Sequence, residues 1–288
     1  MKDLNYELKQ ICHRNRDGSY AKQTARERIL TQVANQLDAL GFKNMSASSL
    51  KPKHVEALIS QWKAEGLSVG TIKNRMAELR WLAEKINKQN VIARSNDYYH
   101  IDKRTFITNV SKARTLEGRD LEKITDPRTA MSLRLQAEFG LRREESIKIR
   151  PHQADRGNRL VLQASWTKGG RAREIPIFTL AQRQVLEAAK ELAGRGSLIP
   201  ADQSYVQQLK RFVYQCGKAS IDHVHGHRHA YAQRRYLELT GRLCPAAGGL
   251  RAKELTSAQK RIDREARLTI SAELGHNREQ ITAVYLGR

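Results

Sequence analysis

The stretch 222–236, DHVHGHRHAYAQRRY, contains four of the nine histidines of the chain, His223, His225, His227 and His229. In a strand, alternation would place all four imidazoles on one face, as a metal site requires. In a loop that enters a helix, His225, Arg228 and His229 would lie at i, i+3 and i+4 and share one helical face. The remainder of the chain decides between a metal site, a pH switch and another kind of site.

The composition points to a nucleic-acid-binding protein. A length of 288 residues predicts one large domain or two smaller ones, and a hydrophobic fraction of 40% is enough for ordinary cores. The net charge of +22 results from 52 lysines and arginines against 30 acidic residues. A charge excess of this size is typical of proteins that contact phosphate backbones, although a merely soluble basic protein remains the alternative.

Several protein classes are not expected. Cys12, Cys216 and Cys244 are too few and too scattered for a disulfide framework or a zinc ribbon. The chain has no run of about 18 apolar residues, so a membrane span is not expected. The first residues, MKDLNYELKQ, lack the apolar run of a signal peptide. We therefore expect a cytoplasmic protein that acts on nucleic acid.

The first hundred residues have helical periodicity. Thr24 and Glu27 resemble a capping box for a helix that ends at Gly41, and a second helix lies within 51–66. A third helix, within 71–88, is predicted to bury Ile72, Met76, Leu79 and Ile86 and to carry basic side chains on its remaining surface. A solvated charged face is the alternative to nucleic-acid contact there. The residues predicted to bind DNA are Lys73, Arg75, Arg80, Lys103, Arg104, Lys112 and Arg171.

The second part of the chain is predicted to combine helices with one hairpin. A polar, basic linker runs from about Gln89 to Gly118, so we expect an N-terminal helical domain over 1–112 and a second domain over 119–288. Asp126 and Pro127 open a helix that ends at Gly140. Strands are predicted at 160–164 and 173–177, helices at 179–193, 204–217 and 226–239, and an exposed helix within 250–268. The fold class is mainly α with a small antiparallel β-sheet (α+β).

Cutting a DNA strand while conserving its bond energy requires particular groups. A nucleophile must attack phosphorus, fixed cations must meet the charge of the transition state, and an acid must protonate the leaving oxygen. The second domain supplies such residue types in order along the chain. They are Arg142 after Gly140-Leu141, Lys168 in TKGGRARE, His225 and Arg228, His276 after Leu274-Gly275, and Tyr285 nine residues later. Each residue alone is a weak signal, because all of these types are common on protein surfaces or in packing.

Together, the order and spacing of these motifs resemble the tyrosine recombinase, or phage integrase, family. That family has G-L-R, a hairpin lysine, H-x-L-R-H, L-G-H and a tyrosine nine residues further on. The resemblance covers 119–288 by motif, and the N-terminal helices look like the family's SAM-like core-binding domain. His227 stands where the family usually has leucine, and His223 matches no family position. A metal site is disfavoured, because no carboxylate or cysteine pair accompanies the histidines at ligand spacing.

The resemblance implies a mechanism without a metal or nucleotide cofactor. Tyr285 would attack the scissile phosphate and form a 3′-phosphotyrosine. Arg142 and Arg228 would stabilise the transition state, and Lys168 would protonate the leaving 5′-oxygen. The resemblance also assigns His225 as general base, His276 as hydrogen-bond donor to a non-bridging oxygen, and Glu145 and His229 as supporting residues. The implied partners are double-stranded attachment sites, a homotetramer on paired sites and accessory DNA-bending or directionality factors.

Two alternatives and one departure from the family pattern stay open. A type IB topoisomerase would share the chemistry, and a DNA-binding regulator with a decayed site would share only the binding. The segment 241–269 is longer than the family's usual connection and is interpreted as an insertion. Three residues follow Tyr285 and span at most about 11 Å, so we expect the insertion, and not the C-terminal residues, to couple subunits.

Overall fold

The computed structural model describes residues 3–167, 169–276 and 279–288. The chain forms two compact units, one up to Thr105 and one from Phe106 onward, each with its own hydrophobic core. Within the described ranges, no helix is both long enough and apolar enough to cross a membrane. The fold class, mainly α with one small antiparallel sheet, is confirmed.

The first unit is helical. Its helices are α1 (Asp3–Arg14), α2 (Tyr20–Ala39), α3 (Pro52–Ala64) and α4 (Val69–Lys85). The Ser19 side chain accepts a hydrogen bond from the Lys22 backbone N–H and caps α2. The predicted capping box at Thr24 is therefore wrong, since that residue lies inside the helix and its hydroxyl donates to the Tyr20 carbonyl.

The predicted apolar stripe of α4 is confirmed for three residues, since Ile72, Met76 and Leu79 are buried. Two of the arginines expected on the outer surface of this helix are used inside the unit. Arg75 is 9% exposed and lies over the Trp62 ring. Arg80 donates to the Ala93 carbonyl and to Asn96, at 3.1 and 2.9 Å. A long aliphatic stem can be buried while its charged head finds an internal partner, which a count of charges does not reveal.

The second unit contains most of the elements. They are α5 (Gly118–Glu122), α6 (Pro127–Phe139), α7 (Arg143–Lys148), α8 (Pro151–Ala154), β1 (Arg159–Leu162), β2 (Arg173–Pro176), α9 (Leu180–Ala193), α10 (Tyr205–Lys218), α11 (Gly226–Thr240), α12 (Ser257–Glu273) and α13 (Glu279–Leu286). The two strands pair antiparallel with Leu160 opposite Ile175, and both side chains are fully buried. As predicted, Asp126 caps α6 by accepting from the Thr129 N–H, and Gly140 ends it in the left-handed conformation.

Helices α6 and α11 lie at the centre of the main core of this unit. α6 packs against α9 and α11, and α11 also packs against α12 and α13. Phe139, Leu186, Tyr231 and Ile270, from four of these helices, are essentially inaccessible to solvent. α11 packs against three helices and buries Gly226, His227, Arg228 and His229, so its N-terminal end lies in a close-packed environment.

The segment 106–117 belongs to the second unit, although it lacks regular secondary structure. The Arg114 N–H donates to the Gly226 carbonyl at 3.1 Å, and His227 Nδ1 lies 2.9 Å from the Arg114 carbonyl. Before this segment, Tyr99 and Ile101 are buried in the core of the first unit. The boundary between the units thus falls between Thr105 and Phe106, and the predicted linker does not extend to 118. The sequence could not show this, because the segment is held by backbone hydrogen bonds, which produce no periodic pattern of apolar residues.

The segment interpreted as an insertion contributes to the core. α12 begins at Ser257, and its C-terminal half buries Ala266, Arg267 and Ile270. Leu255, just before the helix, is 7% exposed. The prediction of an exposed helix over 250–268 is therefore wrong at Ala266 and Arg267, whereas Ile262 and Leu268 are exposed as expected. Alanine and the aliphatic part of an arginine side chain can both be buried in a core, so a high content of charged residues does not show that a helix is exposed.

Candidate active site

The stretch 222–236 forms a loop that enters a helix, so the strand alternative for the histidines is wrong. His225 lies at the N-cap position of α11, and His223 precedes it with a positive φ of 47° and an exposed side chain. Gly226 is required at the crossing with the segment 106–117, because a Cβ there would clash with the Arg114 side chain and lie 2.8 Å from the Lys112 carbonyl oxygen. Among the described residues, no three His, Cys, Asp or Glu side chains are grouped as metal ligands would be.

Arg228 is the central cation of the site and is 1% exposed. Its guanidinium donates to the carbonyls of Gly140 and Leu274, which end α6 and α12. The C-terminal ends of helices carry partial negative charge, so two helix dipoles stabilise this buried cation. Burial lowers the pKa of Arg228 to about 10, and the side chain is therefore still charged at neutral pH. A fixed positive charge of this kind can meet an anion without reorganisation.

Arg142, just before α7, is oriented by a buried carboxylate. Its backbone N–H and its Nη1 each donate to Glu145 at 2.7 Å. Glu145 also accepts from Arg173 Nη1 and Nη2 at 2.8 and 2.6 Å. Burial alone would raise the pKa of Glu145, but the Arg173 hydrogen bonds and the charges of both arginines outweigh it and hold the pKa at about 2. The side chain is therefore an ionised positioning group.

Arg173 was not among the residues identified from the sequence. It is 8% exposed on β2, and its Nε donates to the Glu273 carbonyl at 2.9 Å. Gly275 adopts φ 65°, and a Cβ there would lie 2.8 Å from Arg173 Cδ. The guanidinium thus joins the hairpin, Glu145 and the end of α12. One sequence signal could have revealed it, because position 173 alternates with Ile175 on the inward face of the strand.

Tyr285, on α13, is 5% exposed, and its hydroxyl lies between two partners. Arg228 Nε donates to its oxygen at 3.3 Å, and His225 Nε2 is also 3.3 Å from that oxygen. A guanidinium can only donate, so the tyrosine proton is free to point toward the imidazole. Desolvation, and then the charges of Arg228 and Arg142, lower the pKa of His225. The imidazole is therefore neutral at pH 7 and able to accept that proton.

Two further histidines surround the Tyr285 ring. The His229 ring centroid is 4.5 Å from it and the His276 centroid 5.6 Å. His276 Nε2 accepts from Arg228 Nη2 at 3.3 Å, which places the imidazole proton on Nδ1. Burial and the nearby arginine charges lower the pKa of His276 to about 3, and burial followed by the His225 interaction lowers that of His229 to about 4. His227 is 2% exposed and faces the segment 106–117 instead.

The structure brings together most of the residues identified from the sequence. Those that contact Tyr285 or Arg228 are His225, Arg228, His229 and His276. Arg142 donates to the same Leu274 carbonyl as Arg228, at 3.4 Å, and is held there by Glu145. Lys168 lies outside the described residues. A cavity of about 430 Å³ opens beside His225 and His229 and is also lined by Lys112.

The residues predicted to bind DNA lie in different environments. Lys103, Arg104, Lys112 and Arg171 have exposed side chains, and Lys73 is half-buried. The internal contacts of Arg75 and Arg80 correct the prediction that both are available at the surface.

We expect acidification to destabilise the second unit through His229. The folded pKa of about 4 lies below the ordinary value of 6.5, so the unfolded chain binds the additional proton. The stabilisation is complete above pH 6.5 and decreases as the pH falls toward 4. Between pH 7 and 5 the expected loss is about 2 kcal/mol. Denaturant unfolding of the full chain followed in this pH range should show a flatter profile for His229→Phe, and identical profiles would contradict the prediction.

Comparison with family models gives two matches along the chain. A model described as phage integrase, N-terminal, matches residues 1–92, and one described as integrase matches residues 104–234. A search of curated protein sequences finds no match.

Solved structures resemble the whole chain in fold. A XerH site-specific recombinase bound to palindromic difH substrate is 15% identical, over 99% of this chain and 81% of that one, with a TM-score of 0.59. A Tn1549 transposon integrase in complex with circular intermediate DNA is 17% identical over 100% and 96%, with a TM-score of 0.55. A lambda integrase dimer bound to a COC′ core site is 13% identical over 99% and 78%, with a TM-score of 0.64.

Proposed function

The chain belongs to the phage integrase family of tyrosine recombinases, and we propose that Tyr285 is the nucleophile with which it cuts and rejoins DNA at a defined site. One observation carries the assignment. The Tyr285 hydroxyl contacts a buried arginine and an imidazole that is neutral at pH 7. This pairing suits a phenol that must lose its proton while its oxygen attacks an anionic phosphodiester.

Cleavage begins when the Tyr285 oxygen attacks the scissile phosphorus. A bond forms between this oxygen and phosphorus, the bond from phosphorus to the 5′-oxygen breaks, and a 3′-phosphotyrosine results. His225 Nε2 receives the phenolic proton, and Lys168 supplies a proton to the leaving 5′-oxygen. The phosphotyrosine ester retains the energy of the broken bond, so a free 5′-hydroxyl can reverse the step and rejoin a strand.

Charge in the transition state is met by guanidinium groups held in place before the substrate arrives. Arg228 is fixed by two helix-end carbonyls, and Arg142 is fixed by Glu145. Because their orientation is already set, little reorganisation is needed as charge develops on the phosphate oxygens. His276 would donate to a non-bridging oxygen through Nδ1–H, the position that carries the proton when Nε2 faces Arg228.

The partner is double-stranded DNA, and its phosphate backbone accounts for the net charge of +22. Exposed Lys103, Lys112 and Arg171 are proposed to contact that backbone, together with Arg104 and Lys73. The full reaction would take place in the cytoplasm within a homotetramer on paired sites, with accessory DNA-bending or directionality factors. The biological role would be integration or excision of a mobile element.

A comparison of plasmids tests this function against the two alternatives. One supercoiled plasmid would carry the two end sequences of the mobile element that contains the gene for this chain, and the other would lack them. We expect the first plasmid to recombine and the second not to. Relaxation of both plasmids to the same extent would instead indicate a topoisomerase. Binding without any covalent adduct would indicate a regulator.

Subunit coupling is proposed to involve exposed apolar residues near α12. Leu250, Ile262 and Leu268 are 49%, 41% and 48% exposed. Replacing all of 250–268 by a flexible linker would not test this proposal, because Ala266 and Arg267 are buried in the core. We expect the triple change of the three exposed residues to glutamine to leave binding to one site unchanged and to weaken the paired-site complex at least tenfold, about 1.4 kcal/mol.

Gel shifts with one and two sites measure this effect. Undiminished pairing and recombination by the triple variant would exclude this surface from subunit contacts. A triple change of the exposed Leu180, Val206 and Val213 to glutamine, elsewhere on the same unit, serves as the control.

A further inference from the structure

The C-terminal end of α13 is held by side chains from outside that helix. Gln233 Nε2 donates to the carbonyl of Tyr285 at 3.1 Å. Arg267 Nη1 donates to the carbonyl of Gly287 at 2.9 Å. The last carbonyls of a helix have no partner within it, so side chains that reach them fix where the helix ends and how it is rotated.

We propose that Gln233 and Arg267 form a clamp that positions the nucleophile, a role separate from stabilising the phosphate. The proposal rests on the assignment of Tyr285 as nucleophile. Neither residue contacts the Tyr285 hydroxyl, so each acts through the backbone that carries it.

Gln233 is placed to couple the nucleophile to the central cation. It lies on α11, the helix that also carries Arg228. Its amide is oriented by Ser111, whose hydroxyl donates to Gln233 Oε1 at 3.0 Å and so directs the amide N–H groups toward Tyr285. One helix therefore holds Tyr285 at two points, the hydroxyl through Arg228 and the carbonyl through Gln233.

Arg267 is itself held rigidly. It is 6% exposed, and its Nε donates to both carboxylate oxygens of Asp263 at 3.0 and 2.8 Å. The Tyr236 hydroxyl donates to the same carboxylate at 2.6 Å. A buried arginine with a paired carboxylate has little conformational freedom. The Gly287 carbonyl is therefore held at a fixed position relative to α11 and α12.

Gly287 is enclosed on its other side as well. It adopts φ 77°, and a Cβ there would lie 2.6 Å from Asn109 Oδ1 and 2.7 Å from the Ala246 nitrogen. Asn109 Oδ1 also accepts from the Arg288 N–H at 2.7 Å. The backbone that follows Tyr285 is thus fixed by contacts from several directions. A displacement of about 1 Å at a reacting atom can lower a rate by about 10²-fold, so these contacts bear on the attack itself.

Cleavage of a nicked suicide substrate by full-length variants tests the clamp. We expect Gln233→Leu and Arg267→Met to lower the rate of covalent adduct formation from the bound complex by about 10- to 100-fold, with the dissociation constant for DNA within twofold of wild type. Arg267→Lys retains a donor and should recover part of the rate. Arg264→Met removes an exposed arginine from the same helix and is the matched control with wild-type rate.

A second measurement separates positioning of the tyrosine from general damage to the site. In a Tyr285→Phe background, hydrogen peroxide can replace the tyrosine as attacking group, forming the new bond to phosphorus while the 5′-oxygen leaves and takes up a proton. Peroxide-dependent cleavage should be unchanged by Gln233→Leu or Arg267→Met if they act through Tyr285. An equal loss in the peroxide reaction would overturn the clamp and assign both residues to the pocket as a whole.

The outcomes distinguish failure of the clamp from failure of the proposed function. Wild-type protein that forms no adduct would contradict the function itself. Wild-type protein that forms the adduct, alongside variants that form it equally fast, would contradict only the clamp. If Arg267→Met loses its thermal unfolding transition, Gln233→Leu decides the question, because Gln233 is only partly buried and its replacement is tolerated more readily.

Discussion

Replacing Tyr285 by phenylalanine is expected to abolish covalent attachment of the protein to DNA while leaving DNA affinity nearly unchanged. The substitution removes the hydroxyl and its contacts with His225 and Arg228. It retains the ring that packs 4.5 Å from His229, so the fold should be preserved. Binding to the phosphate backbone depends on basic side chains elsewhere and should therefore persist.

A nicked suicide substrate provides the measurement, because it traps the phosphotyrosine when the cleaved end diffuses away. Wild-type protein should form a band of higher mass that resists denaturation, and Tyr285→Phe should form none. Tyr214→Phe, which alters a tyrosine that is 67% exposed, is the control and should behave as wild type. A covalent adduct that survives in Tyr285→Phe would show that another residue is the nucleophile.

Replacing Lys168 by alanine is expected to slow cleavage by about 10²- to 10⁴-fold, the usual contribution of a general acid. The 5′-oxygen is a poor leaving group without a proton, whereas sulfur at the same bridging position leaves without one. A substrate with 5′-bridging sulfur should therefore restore much of the rate to Lys168→Ala.

Arg142→Ala is the matched comparison for this experiment. Arg142 is proposed to stabilise charge on the phosphate oxygens, and sulfur at the leaving position does not replace that interaction. The sulfur substrate should consequently give little recovery in Arg142→Ala. Equal rescue of Arg142→Ala together with no rescue of Lys168→Ala would contradict both assigned roles.

Features that depend on neighbouring positions could be predicted from the sequence. The spacing of His225, Arg228 and His229 places them on one face of any helix that begins there, and α11 begins at Gly226. Asp126 and Gly140 mark both ends of α6 through capping and a left-handed φ, which are local properties of the chain. The order of motifs was sufficient to identify the family, because each motif is a short local pattern.

The sequence was a poorer guide where side-chain environment depends on other elements. The charge of Arg75 predicts a surface position, yet the side chain is buried over Trp62. The composition of 106–117 predicts a linker, although the Arg114 N–H donates to the Gly226 carbonyl. In both cases the stabilising contact comes from a residue distant in sequence, and neither composition nor periodicity records such contacts.

By itself, the sequence determined which residues of the candidate site exist and on which helices most of them lie. Only the tertiary structure decided what holds them, through Arg173 beside Glu145 and through Gln233 and Arg267 at the end of α13. The physical reason is that an arginine or glutamine forms a buried hydrogen bond only where the packing of separate helices and strands places an acceptor within about 3 Å. A periodic pattern fixes the direction of a side chain on its own element, and the position of its partner is fixed by how the elements pack.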